Sequence, residues 1–197
     1  MSTIINASTS SGLIQTADTS GTLVLQSNGT TMQTIDSTGS YGQLKSGTAV
    51  ASTSGTSIDF TGLPSWVKRI TVMLTGVSTN GTSNLLIQLG YSGGIENTGY
   101  TSAGGYIQNA SASGVSTSTA GFIFNTASAS NSIFGSITVC TIGSNIWVAQ
   151  GLVTAASVPF MMAGGKTTTG TLDRVRITTV NGTDTFDAGS INIMYEG

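Results

Sequence analysis

The densest group of chemically capable residues is Asp184-Thr185-Phe186-Asp187, two carboxylates three positions apart. Paired carboxylates can cleave a glycosidic bond, one as acid and one as base or nucleophile. With backbone carbonyls they can also hold a calcium ion. Asn181-Gly182-Thr183 lies directly before them, and beside such a turn a carboxylate commonly accepts local backbone N–H groups. Turn stabilisation is therefore the first reading of Asp184 and Asp187, a calcium site the second and catalysis the third. The other candidate carboxylates, Asp59, Glu96 and Asp173, are scattered.

Most other chemistry is excluded by residue type. The 197 residues contain no histidine and one cysteine. Ser-His-Asp and Cys-His arrangements are impossible, and zinc has no ligand cluster. Gly93-Gly94 and Gly104-Gly105 lack the strand–glycine–helix context of a phosphate loop. Lys68-Arg69 and the Arg174/Arg176 pair read as solvated faces or subunit salt bridges before anion sites. No catalytic residue, cofactor or metal is expected. Cys140 sits within a strand pattern and reads as a small buried hydrophobe. Trp66 and Trp147 read as core, whereas Tyr91, Tyr100 and Tyr106 are open as residues that could stack on a sugar. Asn-X-Ser/Thr occurs at Asn6, Asn28, Asn80, Asn109 and Asn181, and reads as turn and loop sequence.

Composition bounds the rest. Charged residues are 7% of the chain, hydrophobic residues 38%, Gly numbers 27 and the net charge is −2. A disordered chain would be poorer in hydrophobics. No basic patch suits a phosphate backbone, so nucleic acid is not an expected partner. No signal peptide and no apolar run of membrane-spanning length is visible, so membrane insertion is not expected either.

The elements that must position these residues are short strands. Residues 1–46 hold only small apolar islands, with Asn28-Gly29 between two strand-like runs as a hairpin signal. This segment cannot close a core alone and must lie on something else. Residues 47–197 read as a run of strands. Ile58 and Phe60 alternate with polar neighbours before the corner 62–65. Trp66 is expected to open the next strand, with Ile70, Val72 and Leu74 on one face. Leu85, Ile87 and Leu89 share a face, and so do Phe122 and Phe124, then Ile133, Ile137 and Val139. Residues 91–119 read as a functional loop or a weak strand near Tyr106-Ile107. Residues 146–153 form another strand, and Val158-Pro159-Phe160-Met161-Met162 is apolar but irregular. Val175, Ile177 and Thr179 face inward, then Ile191, Ile193 and Tyr195. No segment keeps a helical period with caps. The expected fold is all-β: a two-sheet sandwich, with jelly-roll topology as the favoured form, preceded by an extended or hairpin segment.

Several stretches carry a family resemblance. Gly21-Thr22-Leu23-Val24-Leu25-Gln26-Ser27-Asn28-Gly29-Thr30-Thr31, followed by Thr34-Ile35-Asp36, resembles a segment near the N-terminus of tailed-bacteriophage fibre and appendage proteins. Asp59-Phe60-Thr61-Gly62-Leu63-Pro64-Ser65-Trp66-Val67-Lys68-Arg69 resembles the β domain that follows it. Glu96-Asn97-Thr98-Gly99-Tyr100, Leu172-Asp173-Arg174-Val175-Arg176 and Asp184-Thr185-Phe186-Asp187-Ala188-Gly189 are similar to the same domain. The resemblance implies a virion structural protein without enzymatic activity, assembled as a homotrimer. Its partners would be major capsid or tail proteins, and host surface glycans if it grips a receptor. Because the sequence ends soon after the β domain, the favoured form is a capsid decoration or head-fibre protein anchored by its N-terminal segment. The alternative is a short tail fibre binding host polysaccharide.

Overall fold

The computed structural model describes residues 21–36, 39–40, 44–108, 111–126 and 128–197. Among them there is no helix, and every strand pairing is antiparallel. The expected all-β, sandwich-like fold is what the chain adopts. It divides into two compact units, 1–43 and 44–197.

In the smaller unit, β1 (Leu23–Ser27), β2 (Thr30–Asp36) and β3 (Gly39–Ser40) form a sheet in that order. The turn is Asn28-Gly29, both at positive φ (49° and 75°), which matches the twist of the flanking strands. The boundary expected at 46/47 falls instead at 43/44. Residues 44–46 belong to the larger unit because they pair with the end of its last strand, Met194 opposite Ser46 and Glu196 opposite Leu44.

The larger unit contains two sheets. Its strands are β4 (Leu44–Ser46), β5 (Val50–Ala51), β6 (Ser57–Thr61), β7 (Arg69–Thr79), β8 (Leu85–Tyr91), β9 (Gly94–Ile95), β10 (Tyr100–Gln108), β11 (Ser111–Ser118), β12 (Phe122–Phe124), β13 (Ile133–Gly143), β14 (Ile146–Ala155), β15 (Val158–Thr167), β16 (Leu172–Thr179) and β17 (Phe186–Glu196). The large sheet runs β11-β10-β15-β14-β13-β7-β17-β4, with β5 also on β17. The small sheet runs β12-β8-β16-β6, with β9 on β8. With the hairpins β10–β11 and β14–β15 set aside, the order is β5-β17-β7-β13 in one sheet and β6-β16-β8-β12 in the other.

The core fills the space between the sheets. Ile70, Val72, Ile137, Val139 and Ile191 from the large sheet meet Ile58, Ile87, Leu89, Val175 and Ile177 from the small one, all buried. Strand alternation puts them there, since every second side chain points the same way. On β8 the alternation is hidden, because Leu86 and Gln88 are buried as well as Leu85, Ile87 and Leu89. Gln88 Nε2 donates to the Ala120 carbonyl (2.9 Å), so the chain before β12 covers the outer side of β8.

Four local expectations change. Trp66 does not open a strand. The Val67 N–H closes a turn on the Pro64 carbonyl (3.1 Å) and β7 starts at Arg69. Trp66 instead packs half-buried against Tyr195, ring centroids 5.8 Å apart. Of the two readings of residues 91–119 the strand near Tyr106-Ile107 holds and the loop does not, but the strand is longer than expected: it is β10, which follows β9 and pairs with β11 in a long hairpin. Its inward positions include Ser102 and Gly104, too small to register as an apolar alternation. The irregular patch after Ala155 is a ten-residue strand, β15. Cys140 lies half-buried on the outward side of β13, between the buried inward pair Ile137 and Val139 and the hairpin tip.

The β14–β15 hairpin turns through Ala156 and Ser157, both at positive φ (47° and 64°). β-Carbons make this conformation costly, on the order of 1–2 kcal/mol per residue. Replacing the pair by Asn-Gly, as found at Asn28-Gly29, is expected to raise unfolding stability by about 1 kcal/mol. Chemical denaturation of the two proteins checks this, and an unchanged or lower midpoint would refute it.

Candidate functional site

The least exposed charged groups form one cluster. Lys166, on β15, faces inward beside its cross-strand partners Tyr100 on β10 and Trp147 on β14. Its Nζ lies 2.9 Å from Glu96 Oε2, and the two side chains are only 7% and 11% exposed. Glu96 sits in the connection from β9 to β10. Its Oε1 accepts the Thr169 N–H (2.9 Å), which ties in the β15–β16 connection. Lys166 Nζ also stands 5.3 Å from the centre of the Tyr100 ring. Tyr100 Oη accepts the Leu89 N–H (2.6 Å) and donates to the Glu96 carbonyl (3.0 Å).

This constellation holds protons rather than moving them. Burial pushes the Glu96 carboxyl up, but bonding to Thr169 and Lys166 outweighs it and leaves the group below its ordinary value. A carboxyl kept ionised is a poor general acid near neutral pH. Burial drives the Tyr100 hydroxyl well above the ordinary tyrosine range, so it stays a neutral donor. Four connected segments, β8, the β9–β10 turn, β15 and the β15–β16 turn, are fastened at this point.

Asp184 fastens a second corner. Its Oδ2 accepts the Ser83 N–H (2.9 Å) and its Oδ1 accepts Asn181 Nδ2. Asn181 Oδ1 in turn accepts the N–H groups of Thr183 and Asp184 (3.0 and 3.2 Å). Asn80 Oδ1 accepts the Thr185 N–H (2.9 Å). Two of the three Asn-Gly-Thr triplets therefore face each other, one from the β7–β8 connection and one from the β16–β17 connection. Gly81 lies under the Asp184 carboxyl, where any β-carbon would collide with it. Asp187 is exposed. Among the described residues no group of three or more His, Cys, Asp or Glu is placed to hold a metal ion. The turn-stabilising reading of Asp184 has its geometric basis here.

The remaining candidates are dispersed. Arg176 forks onto Asp59 across β16 and β6 (2.7 and 2.6 Å), Arg174 pairs with Asp173, and Arg69 pairs with Glu196. Within this chain the arginines thus have intramolecular partners. The tyrosines do not form one platform. Tyr100 is buried in the core, edge-on to Phe122 at 5.1 Å. Tyr106 is half-buried against Phe160, and Tyr91 lies against Gly93 and Gly170. Trp147 is core, as its strand context suggests. Lys166 was invisible to sequence reasoning, since an isolated lysine after Gly164-Gly165 carries no pairing signal.

Hollow surface is found on the outward side of the large sheet. Two shallow depressions of about 700 and 500 Å³ lie there end to end, sharing Ala103 and Ala163 in their linings.

Two outcomes test these corners. Lys166→Met leaves Glu96 unpaired and is expected to cost about 3 kcal/mol at neutral pH. Because the folded Glu96 carboxyl lies below its ordinary value of 4.5, its contribution is complete above that pH. It fades as pH falls through the lower folded value. The stability difference between the native chain and Glu96→Gln should therefore be flat above about pH 5 and shrink in acid, measured by calorimetry. A difference independent of pH would refute the assignment. For Asp184→Ala the expected loss is about 1–3 kcal/mol, with the same melting temperature in calcium and in chelator. A calcium-dependent melting temperature of the native chain would restore the metal reading. Comparison with protein-family models, curated proteins and solved structures gave no match.

Proposed function

We propose that this chain is a non-enzymatic structural protein of a tailed-bacteriophage particle. It assembles as a homotrimer on the capsid surface and attaches through its N-terminal segment. The observation that carries the reading is the exposed apolar hairpin of the smaller unit. Leu23, Val24 and Leu25 are consecutive, so they alternate between the two faces of β1, and each is about 40% exposed. Ile35 on β2 is 36% exposed. A three-stranded sheet whose described residues carry exposed apolar side chains on both faces is marginal in water by itself. Seating on another protein is the physical remedy.

The larger unit supports the same reading in a different way. Outside the two hairpins its main strands fall into two groups, β5-β17-β7-β13 and β6-β16-β8-β12, an order that supports a jelly-roll reading, and jelly rolls are widely used in viral capsids. The buried charged pair and the Asp184 corner both serve to hold loops in place. The resemblance of residues 21–36 and of the β domain to phage appendage proteins supplies the particle.

Two measurements test the proposal. A chain lacking residues 1–43 is expected to melt cooperatively and yet be missing from particles purified from infected host cells. Incorporation of the truncated chain at native amounts would overturn the attachment role. Gold-labelled antibody on intact particles then separates the locations. Label over the head supports a capsid decoration, and label confined to the tail makes the chain a short tail fibre instead.

A further inference from the structure

We propose that the outward face of β10, β11, β14 and β15 is the surface through which one copy of this chain binds another. This rests on the self-assembly part of the function proposed above, and it names the face.

The register across the large sheet aligns the outward side chains in rows. Leu152 on β14 stands opposite Met161 on β15, Met161 opposite Gly105 on β10, and Gly105 opposite Val115 on β11. One row over, Gln150, Ala163, Ala103 and Thr117 are aligned in the same way. Val148 then faces Gly165 and Thr101. The result is relief. Val148, Gln150 and Leu152 on β14, with Met161 beside Leu152, make a ridge that is apolar except at Gln150; Val148, Leu152 and Met161 are 44%, 60% and 44% exposed. Beside it runs a trough floored by Ala103, Gly105, Ala163 and Gly165, the two depressions described above. Val115 on β11, 74% exposed, walls its far side, and Ile107 on β10, 50% exposed, stands at its end.

Three observations select a second copy as the occupant. First, area: five such side chains present on the order of 500 Å² of apolar surface, at the upper end for a monomer's largest patch. With the small residues between them the face approaches the roughly 800 Å² per partner of a specific complex. Second, charge: these four strands contain a single charged residue, Lys166, and it points inward to Glu96. A partner that brings charge here would bury it unpaired. Third, shape: the ridge and the trough lie side by side on one face, so a ridge from one copy can enter the trough of the next and the contact can repeat. Depletion of charge with bulky apolar side chains at the centre is the composition of homomeric interfaces.

The test uses the full chain. Sedimentation and light scattering across a dilution series are expected to give a multiple of the 19.9 kDa chain mass for the native protein. Leu152→Glu and Ala163→Arg, on the ridge and in the trough, are each expected to weaken self-association by about 30-fold or more. Both positions are outward, so circular dichroism and melting temperature should match the native chain. Ala163→Arg keeps the test alive if Leu152→Glu fails to fold. Val180→Glu, at a 53% exposed position after β16, should leave the mass unchanged. A native multimer that both variants leave intact would overturn this face while sparing self-assembly. A native chain that stays monomeric overturns the proposal outright. If Leu152→Glu is then lost from particles, the occupant is a particle protein and not a second copy.

Discussion

Packing in the larger unit depends on how closely the short strand β12 can approach the large sheet. Phe122 and Phe124 are fully buried, and they lie over β10, β14 and β15 where those strands carry glycine on their inner side. A β-carbon on Gly104 would collide with the Ile123 carbonyl. One on Gly151 would stand 2.7 Å from the Phe124 ring, and one on Gly164 would stand 3.0 Å from the Phe122 ring. The glycines are sockets, and the rings fill them. Interiors pack to crystal-like density, so a socket and a ring of this size specify each other. Sheet order follows from the same contact. The β14–β15 and β10–β11 hairpins extend the large sheet past β13, and β12 at the edge of the small sheet is what covers that extension.

Charge is placed with equal economy. The only strongly buried pair among the described residues, Glu96 with Lys166, sits where the β9–β10 and β15–β16 connections meet. A buried pair often contributes little net stability compared with apolar substitutes, but breaking it is costly. Its effect is to discriminate against other arrangements of these two connections, since any of them would leave a charge unpaired in the interior. Glu96 accepts from Thr169 and, through its carbonyl, from Tyr100, so one residue fixes the start of β10 and the connection that leads into β16. The Asp184 corner does the same for the β7–β8 and β16–β17 connections with hydrogen bonds alone.

How much of this could be read from the chain depended on whether apolar side chains marked the inner face. Where they did, as at Ile70-Val72-Leu74, Val175-Ile177 and Ile191-Ile193, the strands and their inward faces were legible. The Asn28-Gly29 hairpin was legible because its turn requires positive φ at both positions and these residue types tolerate it. Ala156-Ser157 makes the same kind of turn with residues that give no such signal. β10 and β15 were obscured for a physical reason. Their inner faces use Ser102, Gly104 and Gly164 to admit β12, and β15 places Met161 outward, which inverts the usual contrast. The ion pair was illegible because Glu96 and Lys166 are 70 positions apart and neither belongs to a motif. Which of Tyr91, Tyr100 and Tyr106 could meet a ligand was not legible either, since strand alternation and turns send the three to different surroundings.

The inverted contrast in β14 and β15 links the fold to the proposed self-association. Water-facing positions of the small sheet carry Asp59, Asp173, Arg174 and Arg176. The corresponding positions of β10, β11, β14 and β15 carry no charge; they hold Thr, Ala, Gly, Gln150, Pro159 and bulky aliphatic side chains. An antiparallel sheet with one solvated face should alternate apolar and polar residues, whereas a sheet covered on both sides reads as apolar or small throughout. By that rule the small sheet has the composition of a solvated face, and the β10–β15 half of the large sheet has the composition of a covered one, as the proposed self-association requires. The unusual composition of the whole chain then has a mechanical origin. On the self-association proposed above, the scarcity of charge would follow, because a large outward surface would become interior. Glycine is abundant in part because β12 needs sockets on the inner side of the sheet.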